Sequence, residues 1–243
     1  MTFAKKVGIT FSMMAAASLS AHFVWMESSA LKVGETARIR IGNGHEVGKS
    51  ESAMSMDGLS SWALSPSGKK ADLKFAADGK WLVTDFAVKE AGAHRFVMVQ
   101  DRGVFSQTTK GFKPGGREVH PDAKKATKYW RSAIAYGSTD AKQEPQQPLG
   151  LDLELAAHKR GNDVHLTVYQ SGNPLSGIAL SIAVVGVEEG KEIGKSDAQG
   201  KFVYKVPSGS KGPVVFLATI LKEAPQGSNY DVSNKTAAAY LNW

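Results

Sequence analysis

Short runs of apolar or alternating residues, separated by frequent turn residues, constrain the fold of this chain more than any other feature. Glycine, asparagine, aspartate and proline cluster between the runs, as at residues 161–163 and 172–174. The clearest runs are residues 37–41, 96–99, 164–168, 180–187 and 214–220. Short β-rich segments with turn signals between them predict an all-β fold built of β-sandwiches. Residues 122–129 are the one helix candidate, and it is short.

A segment without core-forming residues divides the mature sequence. Residues 138–149 contain Pro145 and Pro148 among several glutamines, a composition typical of a linker. We therefore predict a signal peptide at residues 1–21, an N-terminal β-sandwich at residues 22–139, a linker at residues 140–148 and a second β-sandwich at residues 149–243. A long loop within one domain is the alternative.

The first 21 residues have the layout of a secretory signal peptide. Lys5 and Lys6 precede an apolar core at residues 7–19, and small residues follow. This core is too short to cross roughly 30 Å of hydrocarbon at roughly 1.5 Å per residue. We expect a periplasmic protein, cut after Ala21 or, as small residues also allow, after Ser20. An uncleaved anchor or a buried first helix is the alternative.

Composition limits the partners and the chemistry. The chain carries 30 Lys+Arg and 23 Asp+Glu, a net charge of +7, without a long basic run, so nucleic acid is not an expected partner. It contains no cysteine. Any metal site must therefore use histidine, methionine, carboxylate or backbone nitrogen as ligands.

The strongest chemical candidate is His22, which cleavage after Ala21 would make the first residue. Its α-amine and its imidazole Nδ1 could then chelate one ion, since both groups lose protons near neutral pH. Such nitrogen ligands suit Cu(II) and Ni(II), and a second histidine would complete a histidine brace. A His22 that merely begins a strand is the alternative, and cleavage after Ser20 would weaken the chelate.

Further ligand candidates follow a predicted turn at residues 42–44. His45 comes directly after it. Met54 and Met56 would point to one face of an extended segment, and their thioethers favour Cu(I). His94 is a weaker candidate, because it shares a strand face with Phe96 and Met98, a pattern that is more often a core edge than a metal site.

The remaining histidines and the known catalytic motifs offer less. His120, His158 and His165 are expected to be structural or exposed to solvent. The chain has no G-x-S-x-G, H-E-x-x-H or phosphate-loop motif, so we do not expect an enzyme.

Several short motifs occur in one order along nearly the whole mature chain. They are residues 21–27, the Gly44-His45 pair, and residues 126–137, 148–155, 172–175, 196–200 and 240–243. In this order they resemble a family of periplasmic proteins of unassigned function that are often associated with nickel or cobalt uptake transporters.

The resemblance has implications for both halves of the chain. It implies that the second half is a prealbumin-like sandwich, in which the turn at residues 197–200 closes a hairpin and Phe202 enters the core. It also implies a transition metal ion bound by His22 and His45.

The function expected from these observations is metal handling in the periplasm. The protein would bind Ni(II) or Co(II) and pass the ion to a membrane permease, with His22, His45, Met54, Met56 and His94 as candidate ligands. A copper-binding protein of the histidine-brace type is the nearest alternative. A copper-dependent redox enzyme acting on polysaccharide and a metal-free interaction module are the others.

Overall fold

The computed structural model describes residues 22–139, 147–187 and 190–242, and this part of the chain is built of β-strands and loops. The predicted signal peptide lies outside the described residues. The strands are β1 (Phe23–Ser28), β2 (Thr36–Gly44), β3 (Leu59–Leu64), β4 (Lys70–Asp72), β5 (Ala76–Asp78), β6 (Trp81–Ala87), β7 (Ala93–Thr108), β8 (Gly111–Pro114), β9 (Lys125–Ser138), β10 (Glu154–Arg160), β11 (Asp163–Gln170), β12 (Asn173–Pro174), β13 (Ala179–Val184), β14 (Lys191–Lys195), β15 (Lys201–Lys205), β16 (Pro213–Glu223) and β17 (Val232–Asn242). The predicted all-β sandwich architecture is confirmed.

A nine-stranded sheet forms the middle of the structure, in the order β14-β13-β16-β17-β9-β7-β3-β4, with β8 paired to β7. Neighbouring residues of its strands point to opposite faces, so Phe96 joins one core and Val97 the other. A sheet covered on both faces favours continuous apolar runs, and the strong runs at β13 and β16 lie in this sheet.

The first outer sheet has the order β1-β2-β6-β5. Its apolar side chains pack on one face of the central sheet, where Trp25, Ile39 and Leu82 share a core with Ala133, Ala238 and Tyr240. β1 contacts β9, β17 and β7 directly. The outer sheet therefore covers the part of the central sheet that carries these buried residues.

The second outer sheet consists of β10, β11, β12 and β15, with β15 paired to β11. Leu155, Leu166 and Val168 from this sheet pack with Ile134 and Phe216 of the central sheet. The two outer sheets thus lie on opposite faces of the central one.

Strands from both predicted halves meet in the central sheet. β17 pairs in parallel with β9, from Val232 opposite Thr127 to Tyr240 opposite Ala135. The predicted linker at residues 140–148 lies mostly outside the described residues, and separate folding of residues 22–139 and 149–243 stays a prediction. Within the described residues no helix is long and apolar enough to cross a membrane.

Three local predictions were wrong. Residues 122–129 are not a helix, because β9 begins at Lys125 and pairs with β7 on one side and β17 on the other. Residues 42–44 are not a turn, because β2 continues to Gly44 opposite Phe23. The turn at residues 197–200 does not close a hairpin, because β14 pairs with β13 and β15 pairs with β11.

Candidate metal centre

The pairing of β1 with β2 brings two histidines together. Phe23 lies opposite Gly44 in the antiparallel register, so His22 and His45 are neighbours just beyond the end of the ladder. Their ring centroids are 4.4 Å apart, with the ring planes at 76°. Because β1 is buried from Phe23 to Met26, the backbone that carries His22 is firmly packed.

A tight turn after His45 adds a carboxylate to this pair. Lys49 N donates to Glu46 O (3.2 Å), and Glu51 N donates to Asn43 O (2.9 Å). The turn is anchored by Val47, which is 1% exposed. The chain therefore doubles back and places Glu51 beside the end of β2.

Glu51 contacts both histidines with its two carboxylate oxygens. His45 Nδ1 donates to Oε1 (2.8 Å), and the His45 backbone N–H donates to the same oxygen (3.1 Å). His22 Nε2 lies 3.0 Å from Oε2. A Cβ on Gly44 would meet Lys49 O at 3.0 Å and Glu51 Cγ at 3.2 Å, so glycine allows this close approach.

The electrostatics of the cluster favour a charged carboxylate. The hydrogen bond from His45 is the largest cause that holds the pKa of Glu51 below its usual value, and the charges of the two imidazoles act in the same direction. Side-chain exposure is 41% for His22, 39% for Glu51 and 25% for His45. The cluster thus contains one negatively charged side chain, Glu51, and is open to solvent.

The three side chains fit a metal ion geometrically. One ligand atom from each of His22, His45 and Glu51 lies within 4.8 Å of the other two. Ligand atoms at roughly 2.0–2.2 Å from a common ion lie at most about 4.4 Å apart, so the three side chains must draw closer together to bind one. Small side-chain rotations would therefore suffice. Asn43 stands next to the cluster, with Nδ2 3.5 Å from His22 Nδ1 and donating to Ser52 Oγ (3.0 Å).

The other predicted ligands lie in different surroundings. Met54 is partly buried against the first core, whereas Met56 is 52% exposed, and their segment is not a strand. His94 is 1% exposed, contacts the Phe86 and Phe96 rings and lies with Nδ1 3.2 Å from Gly92 O. Among the described histidines and carboxylates, His94 is outside the group of three, and metal binding by it or by the methionines stays a prediction.

A cleft opens beside the cluster. Its volume is about 470 Å³, and His22 and His45 line it together with residues of β9, β16 and β17. These strand residues lie on the same face of the central sheet that the first outer sheet covers further along. The candidate metal centre therefore stands at the edge of the outer sheet, next to an uncovered part of the central one.

Sequence reasoning missed Glu51. An acidic residue six positions after His45, beyond a possible turn at Glu46 to Lys49, was the signal that could have found it. A turn at residues 42–44, as predicted from the glycines, does not bring residue 51 back to His45, so the predicted ligand set lacks this carboxylate.

The comparisons with solved structures are weak. A segment of two fibronectin type III domains from chicken tenascin is 13% identical, with 90% of this chain and 97% of that chain covered and a TM-score of 0.25. Domains NIE-MG1 of the Escherichia coli alpha-2-macroglobulin are 12% identical, with 93% and 99% covered and a TM-score of 0.22. At such scores these likenesses carry no argument about function.

The sequence comparisons are more informative. No curated protein matches the chain. The profile of a family described as a domain of unknown function, DUF4198, matches residues 19–219, which is most of the chain. This agrees with the predicted membership in a family of unassigned function, and the chain belongs to the DUF4198 family.

Proposed function

We propose that this protein binds a transition metal ion in the periplasm through His22, His45 and Glu51. The observation that carries the proposal is the convergence of these three side chains at the exposed end of the β1–β2 pair. Two imidazole nitrogens and one carboxylate oxygen are common ligands of divalent first-row metals.

The position of His22 supports an additional ligand. If a signal peptidase cuts after Ala21, the α-amine of His22 becomes available next to its imidazole. The amine and imidazole Nδ1 then bind one ion as a chelate, and His45 and Glu51 complete the set. Because His22 Nε2 lies 3.0 Å from Glu51 Oε2, this chelate requires the ring to turn so that Nδ1 faces the ion. An ion held by these ligands at an exposed site can leave by ligand exchange, which suits a protein that delivers metal.

Nickel or cobalt is the proposed cargo. The resemblance to proteins associated with nickel or cobalt uptake transporters supports this choice, and a membrane permease is the proposed acceptor of the ion. Such a transfer exchanges only metal–ligand bonds and changes no covalent bond within the protein or the acceptor, so the proposed role is not enzymatic.

Copper is the second candidate. Nitrogen-rich sites bind Cu(II) more tightly than Ni(II) or Co(II) in the Irving–Williams order, and two imidazoles meet in this cluster. Affinity alone would favour copper, so the two proposals differ in which ion the protein retains when a competing chelator limits the free metal.

Calorimetric titration of the mature protein with Ni(II), Co(II) and Cu(II) at pH 7.5, with a mild competing chelator, tests the proposal. We expect one ion per chain with a dissociation constant in the micromolar range or lower. His45→Ala and Glu51→Gln should each weaken binding at least tenfold. His165→Ala, which removes a histidine from β11, is the matched control and should leave the affinity unchanged.

Two results would contradict parts of the proposal. Equal affinities for the wild type and for His45→Ala would exclude this cluster as the site. Retention of copper but not nickel under competition would favour the copper candidate.

A further inference from the structure

The cleft beside the candidate metal centre has an unusual floor. Lys125, Tyr129 and Arg131 of β9 alternate along one face of the central sheet, and Asn234 and Thr236 of β17 lie next to them. All of these side chains are partly buried. The floor is therefore polar and positively charged, whereas the same sheet face is apolar where the first outer sheet covers it.

The charge in this cleft is unbalanced. Lys125 and Arg131 line it, and no described aspartate or glutamate does. Lys125 stands towards the outer part of β9, and Arg131 lies deeper, close to the residues that the outer sheet buries. A cleft with two cations and no lining carboxylate is suited to an anionic ligand.

Arg131 is the cation of the cleft whose charge is least compensated by neighbouring groups. Among the described residues no carboxylate forms an ion pair with it, and its guanidinium carbon lies 5.9 Å from the centroid of the Tyr129 ring. Burial, followed by the nearby charge of Arg102, lowers the pKa of Arg131 to about 10. A partly buried guanidinium next to a second cation is costly unless an anion binds it.

The walls indicate the kind of anion. Leu217, Leu221 and Phe112 line the cleft, and Leu221 and Phe112 are 63% and 59% exposed. An inorganic anion would leave these apolar surfaces in water. An organic anion would cover them, and a planar carboxylate matches the two parallel N–H donors of a guanidinium.

We propose that this cleft binds a small organic carboxylate, with Arg131 as the anchor for its negative charge and Lys125 as a second cation. Its volume of about 470 Å³ lies within the range of small-molecule sites, roughly 300–1,000 Å³. His22 and His45 line one end, so a bound polycarboxylate can also contribute oxygen ligands to an ion there. This last step rests on the proposed metal-binding function, whereas carboxylate binding does not.

Titration of the metal-free mature protein with citrate, followed by calorimetry, tests the carboxylate site. The wild type should bind one citrate per chain. Arg131→Gln should weaken citrate binding at least tenfold, and Arg131→Lys, which keeps the charge but loses the planar fork, should fall between the two. Lys128→Gln removes one positive charge from the same strand at a position outside the cleft, and it should change the affinity less than twofold.

Folding of the variants is checked separately. The thermal unfolding midpoint of Arg131→Gln should equal or exceed that of the wild type, because the variant removes an unpaired charge. If Arg131→Gln does not fold, Lys125→Gln takes its place and should weaken citrate binding about threefold or more.

The same proteins separate this proposal from the proposed metal function. His45→Ala should lose nickel but keep citrate, and Arg131→Gln should keep nickel but lose citrate. Native mass spectrometry of the wild type with both present should show one nickel and one citrate bound together. Absence of citrate binding to the wild type, equal binding by Arg131→Gln, or equally tight binding of inorganic phosphate would overturn the carboxylate site.

Discussion

Gly42 lies opposite Trp25 in the β1–β2 pair, and its replacement by alanine should destabilise the first core. A Cβ at residue 42 would stand 2.3 Å, 2.5 Å and 2.8 Å from three carbon atoms of the Trp25 indole. Such distances are well inside van der Waals contact, so either the indole or the strand must move.

The indole has little freedom to move. Trp25 is 0% exposed, its ring lies edge-on to Trp81 at 5.7 Å, and its Nε1 donates to Glu27 Oε2 (3.2 Å). Overpacking of a filled core costs about 1–3 kcal/mol. For a protein of this size that corresponds to a fall of about 2–12 °C in the melting temperature.

Urea unfolding of four proteins measures the effect as a double-mutant cycle. Gly42→Ala should lower the free energy of unfolding by about 1–3 kcal/mol in the wild type, and by clearly less in the Trp25→Phe background, where the smaller ring leaves room. Gly190→Ala is the control, since its Cβ would meet its neighbours at 3.5–3.6 Å, which is ordinary contact. Equal costs of Gly42→Ala in both backgrounds, or a cost no larger than that of Gly190→Ala, would refute the steric argument.

Three further predictions concern protons and charges. Burial lowers the pKa of His94 from 6.5, so the stability that its neutral form contributes is complete above about pH 6.5 and declines as the pH falls below that value. His94→Phe should flatten this decline in urea midpoints measured between pH 7.5 and 5.5. An unchanged slope in the variant would contradict this prediction. Protons compete with metal for imidazole nitrogen, so the apparent affinity for Ni(II) should fall at least tenfold from pH 7.5 to 5.5, and a competition assay that shows constant affinity would speak against histidine ligands. Asp231 accepts hydrogen bonds from Arg117 Nε (3.0 Å) and Nη2 (2.7 Å), and this guanidinium is the largest cause of the lowered pKa of Asp231. Asp231→Asn should lower the urea midpoint at pH 7. The difference between the urea midpoints of the variant and the wild type should shrink as the pH falls through that lowered pKa.

The strands could be predicted from the sequence where local pattern and burial agree. Residues 164–168 alternate, and β11 buries Val164, Leu166 and Val168 on one face. The run at residues 214–220 is apolar on both faces because β16 lies in the covered central sheet. In both cases the side chains that a strand must bury are visible in a few consecutive residues.

Residues 122–129 show where local pattern fails. Their alanines and lysines have good helix propensity, which is a weak preference that tertiary pairing overrides. β9 instead receives hydrogen bonds from β7 and β17, and β17 comes from the far end of the chain. Such a long-range parallel pairing leaves no mark in the sequence of β9 itself.

The candidate site was predictable only in part. His22 and His45 stood out as histidines in unusual contexts, but their contact depends on the register of β1 against β2. Glu51 joins them through a turn that follows Gly44, and the cleft depends on how far the first outer sheet extends over the central one. Register and layer packing are tertiary properties, so neither the carboxylate nor the cleft could be derived from residue spacing.

Anomalous diffraction from crystals of the mature protein grown with Ni(II), recorded on both sides of the nickel absorption edge, tests the central proposal most directly. The account predicts one strong peak between His22, His45 and Glu51, roughly 2.0–2.2 Å from a nitrogen of each imidazole and from a carboxylate oxygen. A peak only at another place, such as the His158 and His165 rings of β10 and β11, or no peak at all, would contradict it.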